Sequence, residues 1–183
     1  MAELINTKVY DGKFLDMFVD TVIDGDKIQN WERCSRKSNT KAVMIVPYHK
    51  EKNKFIMIKE YRIPISDYEI GFPAGLIEPN ENVKATVKRE IKEETGLDLV
   101  EIIKLSPFTY SSSGMTDESV AIAFVQVEGE VSNKFLEPTE DITPMMLSKE
   151  EIKNLLSDSN LKWGSKAWII CENIVNPINW DRA

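Results

Sequence analysis

From Gly75 to Leu97 the chain reads GLIEPNENVKATVKREIKEETGL, and no other stretch constrains the fold as strongly. Asn80 is suited to cap the start of a helix and Gly96 to supply the left-handed residue after its end, so the spacing predicts a helix over 81–95. Val83, Val87 and Ile91 recur every four residues and form a stripe that must be buried. Glu90 and Glu94, also four apart, share a neighbouring face, and Glu93 reaches the same patch. Like charges at this spacing destabilise an isolated helix by roughly 0.2–0.5 kcal/mol per pair, so something offsets them. Two readings are open: a solvated face balanced by Lys84, Lys88 and Lys92, or a hard divalent cation held by carboxylate oxygens.

The surrounding sequence supplies mostly strands. Residues 8–36 alternate loosely between apolar and polar and break at Asp11-Gly12 and Asp24-Gly25, which predicts a small antiparallel meander. Ala42 to Pro47 and Phe55 to Ile58 are two apolar runs separated by a charged hairpin turn, the second continuing toward Arg62. LVEIIKLSPFTY and SVAIAFVQVEG, after the helix, are rich in branched and aromatic residues and read as strands around a loop, SSSGMTDE. Ser148 and Glu151 form a capping-box pattern ahead of a second helix, and SKAWIICENIV reads as a third. Strands with one central helix and two late ones suit a mixed sheet between helices, an α/β sandwich, rather than a regular βαβ alternation.

Composition narrows the function. The chain has 183 residues with 42% hydrophobic ones, enough for one domain with an N-terminal extension; residues 1–40 are read as the meander and 41–183 as the main domain. A net charge of −7 opposes a sequence-independent grip on nucleic acid, so no nucleic-acid partner is expected. Two cysteines, Cys34 and Cys171, with no CxxC suggest neither a disulfide framework nor a zinc site. No run approaches the roughly 20 apolar residues of a membrane span, and a cytoplasmic protein is expected. Neither GxGxxG nor GxxxxGK[ST] occurs, so phosphate must be handled by another device. His49, the lone histidine, lies in the charged hairpin and reads as a surface residue.

The full string chooses between the two readings of the acidic helix. Gly75, five residues, Glu81, seven residues, then Arg89-Glu90-Ile91-Lys92-Glu93-Glu94-Thr95-Gly96-Leu97 matches GX5EX7REUXEEXGU at every specified position. The chain therefore resembles the Nudix hydrolases, whose fold is an α/β/α sandwich and whose members cleave a nucleoside diphosphate linked to another moiety. The resemblance implies that Glu90 and Glu94 bind divalent metal, Mg²⁺ with Mn²⁺ as the alternative, with Glu93 a further ligand or catalytic helper. It implies that the carbonyl of Ala74 completes the metal site, that Gly75 lets the loop approach the helix, and that Glu81 and Arg89 pair to brace that loop. Resemblance to the ADP-ribose pyrophosphatase branch implies a mobile catalytic glutamate in LEPTEDITPMMLS, matched best by Glu140, with Glu137 the weaker candidate.

Outside the box, WERCSRK and KEYRIPISDYEIGFPAGLIEP resemble the ADP-ribose pyrophosphatase and nucleoside diphosphate sugar hydrolase branch. That likeness implies a homodimer assembled through the N-terminal strands, Trp31 stacked on adenine, Arg36 and Arg62 on the diphosphate, and Glu118 contacting substrate. Ser113 stands where that branch commonly has proline, which leaves the sugar open. The implied activity is Mg²⁺-dependent cleavage of ADP-ribose or a related nucleotide sugar to a nucleoside monophosphate and a sugar phosphate. The alternatives are a dinucleotide substrate, or a non-catalytic nucleotide-sugar sensor with the same fold.

Overall fold

The two Asp-Gly breaks fall between three long strands. In the computed structural model, which describes residues 2–177, β1 (Glu3–Asp11), β2 (Leu15–Asp24) and β3 (Lys27–Arg36) pair in order as an antiparallel sheet. Gly25 sits at φ +60, a turn conformation that a residue without Cβ adopts at little cost. This sheet has almost no core of its own: Leu4, Val9, Tyr10, Phe14 and Ile28 are all more than half exposed.

The main sheet is built from β4 (Ala42–His49), β5 (Lys54–Arg62), β6 (Asp67–Gly71), β7 (Ala74–Leu76), β8 (Asp98–Leu105), β9 (Thr109–Tyr110), β10 (Ser119–Glu128), β11 (Ile142–Leu147) and β12 (Lys162–Trp163). Its strand order is β12-β6-β5-β4-β10-β8, with β11 on β5, β7 on β4 and β9 on β10. The β10–β4 and β12–β6 pairs are parallel and the others antiparallel, so the sheet is mixed.

Alternation along the central strands decides the layers. Val43 and Ile45 of β4 and Ala121, Ala123, Val125 and Val127 of β10 pack with Val87 and Ile91 of α1 (Val83–Thr95). Met44 and Val46 point to the opposite face, where Ile152 of α2 (Lys149–Leu156) and Ala167 and Cys171 of α3 (Ser165–Val175) cover them. A parallel pair buried on both faces accounts for the near-continuous apolar runs. The expected α/β/α sandwich with an N-terminal meander is the observed architecture. No helix among the described residues is long and apolar enough to cross a membrane.

Two local expectations are corrected. The central helix begins at Val83 with Asn82, not Asn80, as N-cap; Asn82 Oδ1 accepts the Ala85 N–H at 3.0 Å. Asn80 instead takes a left-handed turn at φ 73, and Glu81 stays outside the helix, where its carboxylate accepts from Thr86 and Arg89. His49 is buried, with 2% of its surface exposed, because its ring lies between the Gly129 carbonyl and the Lys52 N–H. The capping box of Ser148 and Glu151 is present in full.

Cys171 is fully buried beside Met57, and burial pushes its thiol up to about 12. Since the thiolate is the nucleophile, Cys171 is expected to resist alkylation in the native protein at pH 8 and to react fully in denaturant. Mass spectrometry after iodoacetamide treatment with and without urea checks this.

Candidate active site

The β4–β5 hairpin pairs only at Tyr48–Phe55 and His49–Lys54 before its strands part. Residues 67–76 fill the parting, β6 lying along β5 and β7 along β4, with Gly75 opposite Val43. This brings the loop at Gly75 down onto α1. A Cβ on Gly75 would coincide with the Glu90 carboxylate, so only glycine permits the approach.

The three helix glutamates do not share one environment. Glu90 and Glu94 are 6% and 3% exposed, whereas Glu93 is partly open to solvent. Burial pushes the Glu90 carboxyl up to about 7 against the pull of Arg89. Burial, then the neighbouring Glu90 and Glu60, raises Glu94 well above the ordinary carboxylate range. Glu60 lies at the end of β5, and burial raises it too, with Glu69 and Glu140 adding to the shift and Arg62 opposing it. Desolvated carboxylates that repel one another mark a place of excess negative charge.

Arg89 organises one side of this cluster. Its guanidinium meets Glu81 in a fork, with Nε 3.2 Å and a terminal nitrogen 3.1 Å from the two carboxylate oxygens. The same side chain reaches Glu90 at 2.8 Å, Glu93 at 2.9 Å and the Leu76 carbonyl at 3.1 Å. Ala74 meets the cluster through its N–H, which donates to Glu94 at 3.1 Å. Among the described residues no three acidic, cysteine or histidine side chains converge into a ready cage for an ion. Arg89 holds two of the glutamates and Ala74 the third. The donor set still fits a hard divalent cation: it is all oxygen and desolvated. Mg²⁺ uses one or two carboxylates, waters and substrate phosphates rather than an all-protein cage.

The other predicted residues fall into separate places. Glu140 precedes β11, and its charge is felt by Glu60, Glu90 and Glu94; its carboxylate accepts the Glu137 N–H at 3.0 Å. Arg62 joins the same region, paired with Glu60 at 2.6 Å and Glu69 at 3.3 Å. Trp31, Arg36 and Glu118 meet elsewhere, where β3 and the loop 111–118 lie together. Trp31 Nε1 donates to the Gly114 carbonyl at 3.0 Å, and Arg36 Nε lies 2.5 Å from Glu118. Among the described residues no hydrogen bond or ion pair connects this second group to the carboxylates.

Sequence reasoning missed several members of both groups. A cleft of about 250 Å³ beside Trp31 and Ser113 is lined also by Arg33, Tyr110 and Asp117. Arg33 bridges Asp20 at 2.6 Å and Asp117 at 2.8 Å. Arg33 is two residues from Trp31, so strand alternation alone would have put both on one face. The same rule places Glu60 with Ile56 and Ile58, a signal obscured by the charged run KEYR.

Gly75→Ala is expected to lower turnover about 100-fold, the scale on which misplacement of about 1 Å acts. Stability should change by little more than about 1 kcal/mol, because the atoms met belong to a flexible side chain. Steady-state kinetics beside urea unfolding checks the split.

The chain is similar to several known proteins. The chain is 28% identical over 167 residues to an ADP-ribose pyrophosphatase of Bacillus subtilis, covering 89% of this chain and 86% of the relative. It is 44% identical over 82 residues to the ADP compounds hydrolase NudE of Escherichia coli, covering 42% and 43% of the two chains. An ADP-sugar pyrophosphatase of Mus musculus is 30% identical over 132 residues, 67% of this chain and 59% of that one. A crystal structure of an ADP compounds hydrolase superposes with a TM-score of 0.76 over 97% of both chains at 21% identity, a likeness of fold. The NUDIX domain model matches residues 38–168, which take in the glycine loop, α1 and the strands that hold them, and the chain belongs to the NUDIX family of hydrolases.

Proposed function

We propose that this protein hydrolyses the diphosphate linkage of ADP-ribose or a related nucleoside diphosphate sugar, releasing a nucleoside monophosphate and a sugar phosphate. The observation that carries the reading is the pair of desolvated carboxylates, Glu90 and Glu94, on the helix face closed by the Gly75 loop. A sensor that only held a nucleotide sugar would gain nothing from this repulsion, whereas a hydrolase needs it to recruit cations. The names of the relatives, ADP-ribose pyrophosphatase and ADP-sugar pyrophosphatase, support the substrate class.

Glu90, Glu94 and the carbonyl of Ala74 would hold divalent metal, Mg²⁺ or in its place Mn²⁺, with Glu93 at the open side. When bound, such ions neutralise the diphosphate and lower the pKa of an attacking water. Glu140 would accept the proton of the attacking water, since it lies on a segment outside the helix and its charge is felt by Glu60, Glu90 and Glu94. Arg89 and Glu81 hold the Gly75 loop in place and so fix where Glu90 can stand. Arg62 and Arg36 offer guanidinium forks to the phosphates, Glu118 contacts the substrate and orients Arg36, and Trp31 stacks on the base in the cleft beside Ser113. The exposed apolar residues of the meander, residues 1–40 in our division of the chain, suit pairing with a second copy as a homodimer, with the catalytic domain spanning 41–183. Two free cysteines suit a cytoplasmic location.

Incubation with Mg²⁺ and a panel of ADP-ribose, other ADP-, UDP- and GDP-sugars and dinucleotides, followed by chromatography, tests the reading. AMP and ribose 5-phosphate from ADP-ribose is the expected result. Loss of all product in EDTA should accompany it. No phosphate-containing product from any member would refute the enzyme, and a dinucleotide preferred over every sugar would refute the substrate class.

A further inference from the structure

The segment that carries Glu140 is fastened at both ends, and the fastening nearer to Glu140 involves a residue with no part in the chemistry described above. At its start, Ser132 N–H donates to the Thr95 carbonyl at 2.8 Å, and Lys92 lies 5.1 Å from the Phe135 ring centre. At its end, the Tyr68 hydroxyl donates to the Asp141 carboxylate at 2.7 Å, and Tyr61 N–H donates to the Asp141 carbonyl at 3.0 Å. Between these points the segment is held to itself, by Leu136 N–H to the Asn133 carbonyl and by the Glu137–Glu140 turn.

Tyr68 is built to hold its direction. Its ring packs edge-on against Tyr61 at 5.4 Å between centres, and Lys59 stands 4.6 Å above it. Tyr68 and Tyr61 are directly opposite in the β5–β6 ladder, one pair beyond Glu60 and Glu69. The hydroxyl is thereby carried on the same rigid strands as Glu60. Asp141 adjoins Glu140 in the chain, so restraining its carboxylate restrains the direction in which Glu140 leaves the backbone. The hydrogen bond to Asp141 also raises the Tyr68 hydroxyl above its usual pKa, which keeps the donor proton in place at neutral pH.

We infer that Tyr68 is a positioning residue: through Asp141 it latches the segment that carries Glu140 over the Glu60, Glu90 and Glu94 carboxylates. The inference rests on the assignment of Glu140 as the base.

The test uses the full chain with Mg²⁺ and ADP-ribose, or whichever nucleotide sugar of the panel it cleaves. Tyr68→Phe keeps the ring and its packing and removes only the hydroxyl, so folding is preserved. It should lower kcat about tenfold, the loss expected of one hydrogen bond to a charged group, with KM changed less than twofold. Asp141→Asn, which still offers the phenol an acceptor, should retain more activity than Asp141→Ala. In a Glu140→Gln background, Tyr68→Phe should have no further effect on kcat. Independently of turnover, amide hydrogen exchange in residues 132–141 should quicken about tenfold in Tyr68→Phe. Unchanged exchange in that segment overturns the latch, as do losses from Tyr68→Phe and Glu140→Gln that multiply. Faster exchange beside full activity of Glu140→Gln keeps the latch and removes Glu140 as the base.

Discussion

Glu94→Gln is expected to abolish nearly all turnover and, in the absence of metal, to leave the protein as stable as the parent or more so. The activity loss follows from the cation it helps hold: that charge supplies several kcal/mol of transition-state stabilisation. At about 1.4 kcal/mol per tenfold, turnover should fall about 1000-fold. Stability moves the other way because Glu94 is 3% exposed and carries its charge at a cost, beside Glu90 and Glu60. A glutamine has the same shape, and its amide oxygen can still accept the Ala74 N–H. Burial makes relief of charge the reason for this tolerance.

The same logic fixes a pH dependence. Glu90 rises in the folded state from 4.5 to about 7, so between those values the folded protein binds more protons than the unfolded chain. Metal-free stability should therefore be greatest in acid with respect to this group. It should fall as pH climbs from about 4.5 to 7, by about 3 kcal/mol, and level off above. Glu90→Gln should flatten that slope. Mg²⁺ at neutral pH should raise the Tm of the wild type by binding the native state only, and should do so far less for Glu94→Gln. Thermal melts with EDTA and with Mg²⁺, at pH 5 and pH 8, separate these effects. A wild-type Tm indifferent to Mg²⁺ would speak against a metal site at these residues.

Arg89→Ala is expected to be the most destabilising substitution in the site and to cost activity as well. Its guanidinium serves Glu81, Glu90, Glu93 and the Leu76 carbonyl together, and its removal leaves three carboxylates without their cation. Breaking a buried pair costs about 3–5 kcal/mol and an exposed one about 0–1. With the Arg89 side chain partly exposed and that of Glu90 buried, a loss of about 2–3 kcal/mol is expected by urea unfolding. Turnover should drop about 10- to 100-fold, as for groups that orient metal ligands. Arg89→Lys should recover little, because an ammonium cannot make the fork to Glu81 while reaching Glu90 and Glu93. If lysine restored both stability and activity, Arg89 would be acting as simple charge.

How much of this was legible in the chain depends on the range of the interaction concerned. Glycine, proline and cap residues act over a few positions, so the meander turns, the Ser148–Glu151 capping box and the end of the central helix at Gly96 could be read directly. The start of that helix could not, because Glu81 is drawn out of it by Arg89 and Thr86, partners that matter only once the loop is folded back. His49 looked like a loop residue among charges, and is buried because Gly129, far along the chain, closes over it.

The sequence by itself determined the helix, its buried stripe, the carboxylate spacing and the family, since each is a pattern of local periodicity or fixed motif spacing. Only the tertiary structure decided which carboxylates lose their water. Glu90 and Glu94 are buried while Glu93 stays partly open, and Glu60, whose strand alternation is obscured by its charged neighbours, joins them. Desolvation depends on what other segments pack over a side chain, and here the Gly75 loop closes on Glu90 from ahead of the helix in the chain. Tyr68 and Asp141 likewise meet across 73 residues, a distance at which no sequence periodicity carries information.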